Sequence, residues 1–359
     1  MTRRDSKSAQ SRANRGWRRK IVSIGAGGIV RAAHVLAYGA AGFEIVGVFD
    51  VKPTASASVA RKLGVRCFPS LAEALAVRDV VFDLAVPPSE IAAILRVAPS
   101  GSALLVQKPF GRDIFEARAL AEIVRRRRLV VAVNFQLRFS PAMRHLSELL
   151  EREALGTIRS VDVRVVTYTP FERWAFLRDV PRLEILYHSI HYLDCARALF
   201  GEPTAVEASA RVDSAHPTLS DTSSSIRVEF EDGVKFSIET RHGSRIARKK
   251  RVSEFVVTGT RGSARIVLGV NLDYASPPPD ALDVTLGERT RSVALSGSWF
   301  PDAFAGPMAN VQRFVAGLDR VLASNAADAV RTMELVEACY RSSERTQRLV
   351  PKRGPARLR

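Results

Sequence analysis

The sequence predicts an α/β fold of two domains: an N-terminal Rossmann dinucleotide-binding domain and a C-terminal α+β domain with a large open, mostly antiparallel sheet. The length of 359 residues exceeds that of one compact domain of usual size. Apolar strands alternate with helices between residues 20 and 137, as they do in a parallel sheet. From residue 158 onward, strands follow one another through short turns, which favours antiparallel pairing.

The composition is that of a globular protein with an excess of positive charge. Hydrophobic residues make up 46% and charged residues 25%, which excludes the disordered, collagen-like and coiled-coil classes. Lysine and arginine number 54 against 37 acidic residues, so the formal net charge is +17. Such a balance suggests nucleic acid, anionic membrane or an anionic substrate as a partner until the charges are located.

Most of the excess charge lies at the two ends of the chain. Eight basic residues and one acid fall between Met1 and Lys20, and four basic residues follow Pro351. We therefore predict a disordered basic tail over residues 1–19, a Rossmann domain over 20–137, a substrate-binding and oligomerisation domain over 138–350, and a basic tail over 351–359. The internal cluster Arg248–Arg251 falls in a predicted hairpin loop exposed to solvent, so we expect no specific nucleic-acid binding. No stretch reaches the 18 or more apolar residues of a spanning helix without interruption by glycine or charge, so we expect no membrane partner.

The cysteines and the N-terminal arginines are most simply explained by a cytoplasmic protein. Cys67, Cys195 and Cys339 are odd in number and lack metal-ligand spacing, which disfavours a disulfide framework and a zinc ribbon. Arg3-Arg4 and Arg18-Arg19 are twin-arginine pairs, but cleavage after the apolar run that follows them would destroy a glycine cluster with a better use. We therefore expect a cytoplasmic location.

That glycine cluster has the context of a dinucleotide-binding fingerprint. A buried strand is predicted over Lys20–Ile24, and the run GAGGI over residues 25–29 follows it and opens a helix. Gly25 permits the tight turn, Gly27 lets the backbone approach a pyrophosphate, and the helix N-terminus offers N–H groups to phosphates. Cofactor contacts are predicted at Gly25, Gly27, Gly28 and Ile29. Val30 departs from the fingerprint, which has Gly or Ala at this position.

An acid follows the second predicted strand, Glu44–Phe49. This acid, Asp50, can accept hydrogen bonds from the ribose hydroxyls of adenosine, and it would repel the 2′-phosphate of NADP. NAD is therefore the expected cofactor. NADP is the alternative, because Lys52 could offset the repulsion. A turn-forming role for Asp50 at the strand end is the competing interpretation.

Two further motifs follow the ends of later strands. Pro87-Pro88 ends the strand that begins at Val80, and Gln107-Lys108-Pro109 follows the strand that begins at Ala103. Ligands of an open parallel sheet bind in the crevice at the carboxyl ends of its strands. Both motifs are therefore expected at the edge of the cofactor site.

The order of these motifs resembles that of the glucose-fructose oxidoreductase and inositol dehydrogenase family (Gfo/Idh/MocA). The likeness is carried by the glycine cluster, Pro87-Pro88, Gln107-Lys108-Pro109-Phe110 and the run NFQLRFSP over residues 134–141, and it extends from about Lys20 to Val350. The resemblance implies that Pro87 contacts the cofactor and that Lys108 reaches the nicotinamide and the substrate. Gln107 stands where the family usually has Glu, which removes a negative charge beside Lys108.

A helix predicted over Arg182–Phe200 carries the densest polar chemistry. Helical spacing places six of its residues on one stripe, namely Glu184, Tyr187, His188, His191, Asp194 and Cys195. The family pattern is an Asp four residues before a His and a second Asp three residues after it. His191 and Asp194 match this pattern, whereas Tyr187 replaces the first Asp.

The replacement suggests a phenol as the proton donor. A tyrosine can protonate a ketone during hydride transfer if a nearby cation lowers its pKa, and Lys108 would be that cation. Lys108, Tyr187 and His191 are therefore the predicted catalytic residues. His191 or His188 would bond substrate hydroxyls or relay the proton. The predicted substrate contacts are Arg138, Trp174, His188 and Asp194, with Arg173 and Asp302 as further candidates.

Metal binding is a competing interpretation of the same stripe. Glu184, His188 and His191 have a helical spacing at which three side chains can hold a divalent ion. No partner ligand is obvious elsewhere in the sequence, so we expect no metal.

The resemblance implies an NAD(P)-dependent oxidoreductase that moves a hydride between the nicotinamide and a secondary alcohol or ketone of a sugar, a sugar derivative or an inositol-like polyol. It also implies a homodimer or homotetramer formed through the open sheet face. Two alternatives remain. One is a glycosidase of the same family that retains NAD and oxidises the sugar transiently. The other is a non-catalytic, cofactor-binding regulatory protein, which the departures at Gln107 and Tyr187 suggest.

Overall fold

The structure is a computed structural model that describes residues 16–171, 174–214, 216–274 and 276–348. The chain forms two compact units. The first runs to Ser140 and includes Phe300–Arg331, whereas the second consists of Pro141–Trp299 and continues from Thr332. Residues 1–15 and 349–359, on which most of the predicted basic tails fall, lie outside the described residues, as does Arg173.

A six-stranded parallel sheet forms the centre of the first unit. Its strands are β1 Lys20–Ile24, β2 Ile45–Phe49, β3 Arg66–Cys67, β4 Val80–Leu84, β5 Ala103–Gln107 and β6 Val130–Asn134. They lie in the order β3-β2-β1-β4-β5-β6, and every neighbouring pair is parallel. The strand order therefore reverses between β1 and β4, and all six carboxyl ends share one edge. This arrangement confirms the predicted Rossmann domain.

Helices follow the strands of the first unit and close the second. They are α1 Val35–Ala40, α2 Pro53–Leu63, α3 Leu71–Leu75, α4 Pro88–Val97, α5 Ile114–Arg126, α6 Pro141–Glu151, α7 Ile190–Phe200, α8 Gly269–Leu272, α9 Ala305–Val315 and α10 Ala326–Arg348. Side-chain caps begin two of them. Ser70 accepts a hydrogen bond from the Glu73 amide at the start of α3, and Asp113 accepts one from the Glu116 amide at the start of α5.

The second unit contains the predicted large sheet. Its strands are β7 Ile158–Val166, β8 Pro203–Arg211, β9 Ser223–Phe230, β10 Lys235–Arg241, β11 Val252–Gly259, β12 Gly262–Val267, β13 Ala281–Leu286 and β14 Arg289–Val293. Their order is β14-β13-β12-β11-β7-β10-β9-β8, in which β7 and β10 pair in parallel and the other neighbours are antiparallel. Burial alternates along β10, where Phe236 and Ile238 are covered and Lys235 and Glu239 are exposed. The sheet therefore has one covered face and one polar face.

The segment Phe300–Arg331 packs into the first unit, unlike the continuous second domain predicted over 138–350. Phe304 and Met308 belong to the same buried cluster as Ile21 of β1 and Leu105 of β5. Burial of apolar side chains is favourable against either sheet. The sequence alone therefore shows that α9 has an apolar face without showing which sheet it covers.

Trp17, Arg18 and Arg19 belong to the first unit, so the prediction of a disordered tail is wrong for these residues. The Trp17 ring packs edge-on against Phe43, with ring centroids 6.2 Å apart. Arg18 Nη1 donates hydrogen bonds to the carbonyl oxygens of Ala41 and Gly42, each at 2.8 Å. Residues 17–19 are therefore ordered despite their positive charge, because Trp17 packs on an aromatic ring and Arg18 bonds carbonyl oxygens at a tight turn.

Two observations concern the predicted absence of membrane and nucleic-acid partners. Within the ranges that the structure describes, no helix has the length and apolar character needed to cross a membrane. In the basic cluster, Arg248 pairs with Asp273 at 2.9 Å, and Arg251 donates to the carbonyl oxygen of Leu272 at 2.8 Å. Part of this cluster is therefore engaged inside the second unit.

Candidate active site

The glycine turn after β1 has a geometry that two kinds of constraint explain. Gly25 has a φ of 106°, and a Cβ at this position would overlap the backbone carbonyl of Ala85. A side chain is therefore excluded both by the left-handed backbone conformation and by the close approach. Gly27 and Gly28 are exposed, and a Cβ at either would meet no protein atom within 4 Å. These two glycines leave an open cradle beside the helix N-terminus.

Asp50 at the end of β2 also holds this turn. Its Oδ2 accepts a hydrogen bond from the Ala26 amide at 2.7 Å, and its Oδ1 accepts one from the Lys52 amide at 2.8 Å. The turn-forming interpretation of Asp50 is therefore correct. An ionised carboxylate has about four acceptor sites, so the half-buried Asp50 can also accept from ribose hydroxyls.

The residues of this turn fit a dinucleotide. The cradle at Gly27 and Gly28 leaves backbone N–H groups uncovered by side chains, which is what a pyrophosphate requires. Ile29 packs against the core of the first unit. Val30, the departure from the fingerprint, is fully buried and begins a π-helical turn over Val30–His34, so the helix accommodates the larger side chain. NAD would be held here by Gly25, Gly27, Gly28 and Asp50.

Two more predicted residues follow strands at the same sheet edge. Pro87 is exposed and immediately precedes α4. Lys108 follows β5 and is half-buried, and burial lowers the pKa of its ammonium from 10.5 to about 8. The neighbouring Gln107 accepts a hydrogen bond from Asn134 Nδ2 at 3.0 Å through Oε1. Gln107, which stands where the family usually has Glu, thus forms an uncharged hydrogen bond that links the ends of β5 and β6.

The helix that carries the polar stripe begins with a π-helical turn over Ile185–Ser189 before α7. Asp221 caps its start by accepting hydrogen bonds from the amides of Leu183 and Glu184, at 2.7 and 3.0 Å. The wider turn brings Ser189 Oγ to Glu184 Oε1 at 2.8 Å, five residues apart. The spacing of an α-helix therefore does not hold through this part of the stripe.

The stripe residues consequently contact different neighbours. The ring of Tyr187, which is 8% exposed, lies 6.0 Å from Phe176. The ring of His191, which is 6% exposed, lies 5.2 Å from Trp299. Sequence reasoning missed Trp299, because a tryptophan in a connecting segment carries no local signal of its neighbours. Lys108 lies in the first unit, and Tyr187 and His191 lie in the second.

Asp194 does not have the exposure that a substrate contact needs. Its carboxylate is completely buried and accepts a hydrogen bond from Thr332 Oγ1 at 3.1 Å. Thr332 Oγ1 in turn accepts one from Arg197 Nη1 at 2.6 Å. The predicted substrate role of Asp194 is therefore replaced by a structural one, because α10 covers this carboxylate and supplies its partner.

His188 is half-buried, and its ring lies 5.4 Å from that of Phe171 and 4.4 Å from that of His242. His242 is buried, hydrogen-bonds Thr169 Oγ1 through Nδ1 at 2.8 Å, and places Nε2 3.4 Å from Glu184 Oε1. Sequence reasoning missed His242, because it lies 54 positions from His188 at the end of a strand with no motif around it.

Two of the three remaining predicted substrate contacts have partners inside their own units. Arg138 Nη2 donates to Asp328 Oδ2 at 2.8 Å, and both side chains are mostly buried. The half-buried Trp174 packs edge-on against Tyr274 at 5.0 Å. Asp302 is exposed at the start of a short 3₁₀ turn.

In the described part of the chain, no group of three or more His, Cys, Asp or Glu side chains is arranged to hold a metal ion.

Two protein-family models and several known proteins match the sequence. Residues 19–135 match the oxidoreductase family with an NAD-binding Rossmann fold (GFO_IDH_MocA), and residues 143–265 match the GFO/IDH/MocA C-terminal domain. A D-apiose dehydrogenase of Paraburkholderia graminis is 27% identical over 322 residues, which cover 84% of this chain and 81% of that protein. An inositol 2-dehydrogenase of Rhizobium meliloti is 25% identical over 336 residues, which cover 89% and 95%.

A similar solved structure is that of an oxidoreductase from Agrobacterium radiobacter in complex with NAD+, L-tartaric acid and magnesium. It has a TM-score of 0.78 and 19% identity, over 91% of this chain and 97% of that chain. At this identity, the likeness shows the shared fold. Both domain matches and the two dehydrogenase relatives agree with the cradle and strand order described above. The chain therefore belongs to the Gfo/Idh/MocA family, and it is an NAD-dependent oxidoreductase that acts on CH–OH groups.

Proposed function

We propose that the protein interconverts a secondary alcohol and a ketone on a sugar, a sugar derivative or an inositol-like polyol, with Lys108, Tyr187 and His191 handling the proton. The observation that carries this proposal is Lys108, which follows β5 at the sheet edge of the glycine turn and has a pKa lowered to about 8 by burial. Relatives named for D-apiose and inositol support a polyhydroxylated substrate.

The reaction requires the alcohol to lose a hydride from carbon and a proton from oxygen. Gly25, Gly27, Gly28 and Asp50 would hold NAD, which would supply the nicotinamide that exchanges this hydride with the substrate carbon in either direction. The proton must pass between the substrate oxygen and a side chain as the carbonyl forms or disappears. A general acid–base group works best when its pKa lies near the working pH. Lys108 meets this condition, because both of its protonation states are populated around pH 8.

Tyr187 and His191 supply the remaining groups of the proposal. The Tyr187 phenol can donate the proton to a ketone oxygen, and the His191 imidazole can hydrogen-bond a substrate oxygen or relay the proton. Both side chains are largely buried, which limits the bulk water that competes for these bonds.

The substrate is sought by a screen in which NADH absorbance reports the reaction: inositols, D-apiose and other sugars are tested with NAD or NADP, and the matching ketones with NADH.

Y187F and K108A are expected to lower turnover at least about a hundredfold, because each removes a proton-handling group. Cofactor binding, measured by NADH fluorescence, should persist in both. K62A, which removes an exposed lysine of α2, serves as the matched control. Full activity of Y187F and K108A would refute the assignment, and release of an aglycone without change in NADH would indicate the glycosidase alternative.

A further inference from the structure

A fully buried carboxylate, that of Glu184, lies in the second unit outside the groups used in the proposed reaction. Its Oε1 accepts a hydrogen bond from Ser189 Oγ at 2.8 Å and lies 3.4 Å from His242 Nε2, and its Oε2 has no hydrogen-bond partner among the described residues. A carboxylate without solvent is costly unless a cation is beside it. His242 is the side chain placed to supply that charge.

Four acids lie around Glu184. Burial raises the pKa of four neighbouring acids, and the charge of Glu184 raises it further; these are Tyr192, Asp221, Cys339 and Tyr340. None of the four can supply a positive charge to the carboxylate. Of the neighbours named, His242 is the one that can carry a positive charge beside Glu184.

Oxygen atoms lie near both ring nitrogens of His242. Its Nδ1 hydrogen-bonds Thr169 Oγ1 at 2.8 Å, and its Nε2, which has no hydrogen-bond partner among the described residues, lies 3.4 Å from Glu184 Oε1. An imidazolium donates from both nitrogens, and a threonine hydroxyl can accept one of those bonds.

His188 lies on the other side of His242. The two rings are 4.4 Å apart and tilted by 35°, and Phe171 packs against both. Phe171 also packs against His216, which stacks on Tyr168, and the guanidinium of Arg245 lies over the Tyr168 ring. Two imidazoles at this separation resist simultaneous protonation, because their positive charges repel. A charged His242 therefore favours the neutral form of His188.

We infer that the Glu184–His242 ion pair keeps His188 neutral, so that His188 accepts a hydrogen bond from a substrate hydroxyl group. Only the last part rests on the proposed function. A neutral imidazole has one acceptor nitrogen and an imidazolium has none, so the ion pair decides whether half-buried His188 can bind a hydroxyl donor. Glu184 and His242 are then positioning residues that act through His188.

The ion pair is tested by NMR titration of the histidine ring protons. The chain has six histidines, so H188Q and H242Q assign the two resonances by difference. In H242Q, the titration midpoint of His188 should move to higher pH, because a cation is lost and the carboxylate is left uncompensated. In the double variant E184Q/H242Q, which buries neither charge, the midpoint should return toward that of the wild type. An unchanged His188 midpoint in H242Q, or the same displacement in both variants, would overturn the inference.

A second measurement guards against loss of folding in H242Q. E184Q removes the buried carboxylate and keeps His242, so the His242 midpoint itself should move to lower pH. Thermal unfolding and NADH fluorescence identify any variant that is not folded. If His242 titrates alike in E184Q and in the wild type, the two groups are not an ion pair.

The hydroxyl contact is tested by kinetics on a polyol that the wild type turns over. At pH values where His188 of H242Q is protonated, KM should rise about tenfold or more with a smaller change in kcat, because a ground-state contact is lost. At higher pH, KM should recover, which a merely structural defect would not do. Absence of turnover with every polyol would reject the proposed function while the titrations still decide the ion pair. An unaltered KM in H242Q would reject the hydroxyl contact.

Discussion

The backbone of Gly25 packs directly on that of Ala85, so that any side chain at Gly25 would overlap the Ala85 carbonyl. This contact joins the turn after β1 to the end of β4, between which the strand order of the parallel sheet reverses. Gly27, two residues on, has no protein atom within 4 Å of its Cβ position. The fold therefore requires a glycine at position 25, whereas packing within the described residues places no such restriction on position 27.

Replacement by alanine should therefore lower stability at Gly25 and cofactor affinity at Gly27. G25A should lower the free energy of unfolding by at least about 1–3 kcal/mol, the usual range for a strained backbone conformation, with further loss from the overlap. G27A should keep the melting temperature and weaken NADH binding about tenfold or more, because its methyl group fills the cradle. Calorimetry gives both quantities. G39A, at a helical site with open space around it, should be neutral or more stable. Loss of stability in G27A would contradict this division of roles.

Lys108 should give the reaction opposite pH dependences in its two directions. Ketone reduction needs the charged ammonium as acid, so kcat/KM should fall as pH rises through about 8, where burial places the pKa of Lys108. Alcohol oxidation needs the neutral amine as base, so kcat/KM should rise through the same pH. K108R keeps its charge far above this range and should lack the alkaline fall in reduction. A profile for wild-type reduction that stays flat from pH 7 to about 9 would contradict the role of Lys108.

The same lysine should also affect stability in a predictable direction. Its pKa is lower in the folded chain than in the unfolded chain, where it is about 10.5, so folding disfavours its charge. The cost is fully present below about pH 8 and disappears as pH rises toward 10.5. K108M should therefore be more stable than the wild type at pH 7, by an amount that shrinks at higher pH. Urea unfolding at several pH values measures the difference.

The network of Arg197, Thr332 and Asp194 should be structural. R197M removes the buried hydrogen bond to Thr332 and the ion pair with the half-exposed Glu202, which should cost about 1–3 kcal/mol of unfolding free energy. T332V, which breaks both hydrogen bonds, should cost about 1–3 kcal/mol. R66A removes an exposed ion pair with Glu73 and should cost less than about 1 kcal/mol. Similar urea midpoints for R197M and R66A would show that the buried network contributes little.

Two N-terminal deletions should distinguish the effect of the tail's positive charge on polyanion binding from the effect of residues 17–19 on folding stability. Deleting residues 2–15 removes five basic residues, so binding to heparin should weaken while the melting temperature and NADH affinity stay the same. Deletion through Arg19 should also lower the melting temperature, because the Arg18 hydrogen bonds and the Trp17–Phe43 contact are lost. Unchanged heparin binding after the shorter deletion would place the polyanion site elsewhere.

The cofactor half could be predicted closely because its signals are local. The glycine turn, Asp50 and Lys108 each follow directly on an apolar strand, and the parallel arrangement of those strands places them at one edge. The polar helix could be predicted only in part. Its residues were visible in the sequence, but the π-helical turn at Ile185–Ser189 changes their spacing and gives them different neighbours.

The sequence by itself determines the Rossmann and mostly antiparallel sheets, the open glycine turn after β1 and the position of Lys108 at the sheet edge. These features follow from backbone conformation and from periodicity along a few neighbouring residues. Tertiary structure alone decides that Phe300–Arg331 joins the first unit, that Asp194 is enclosed by Thr332 and Arg197, and that His242 lies against His188. These contacts join residues far apart in the chain, and an apolar face or a buried charge specifies the kind of partner it needs but not which partner it receives.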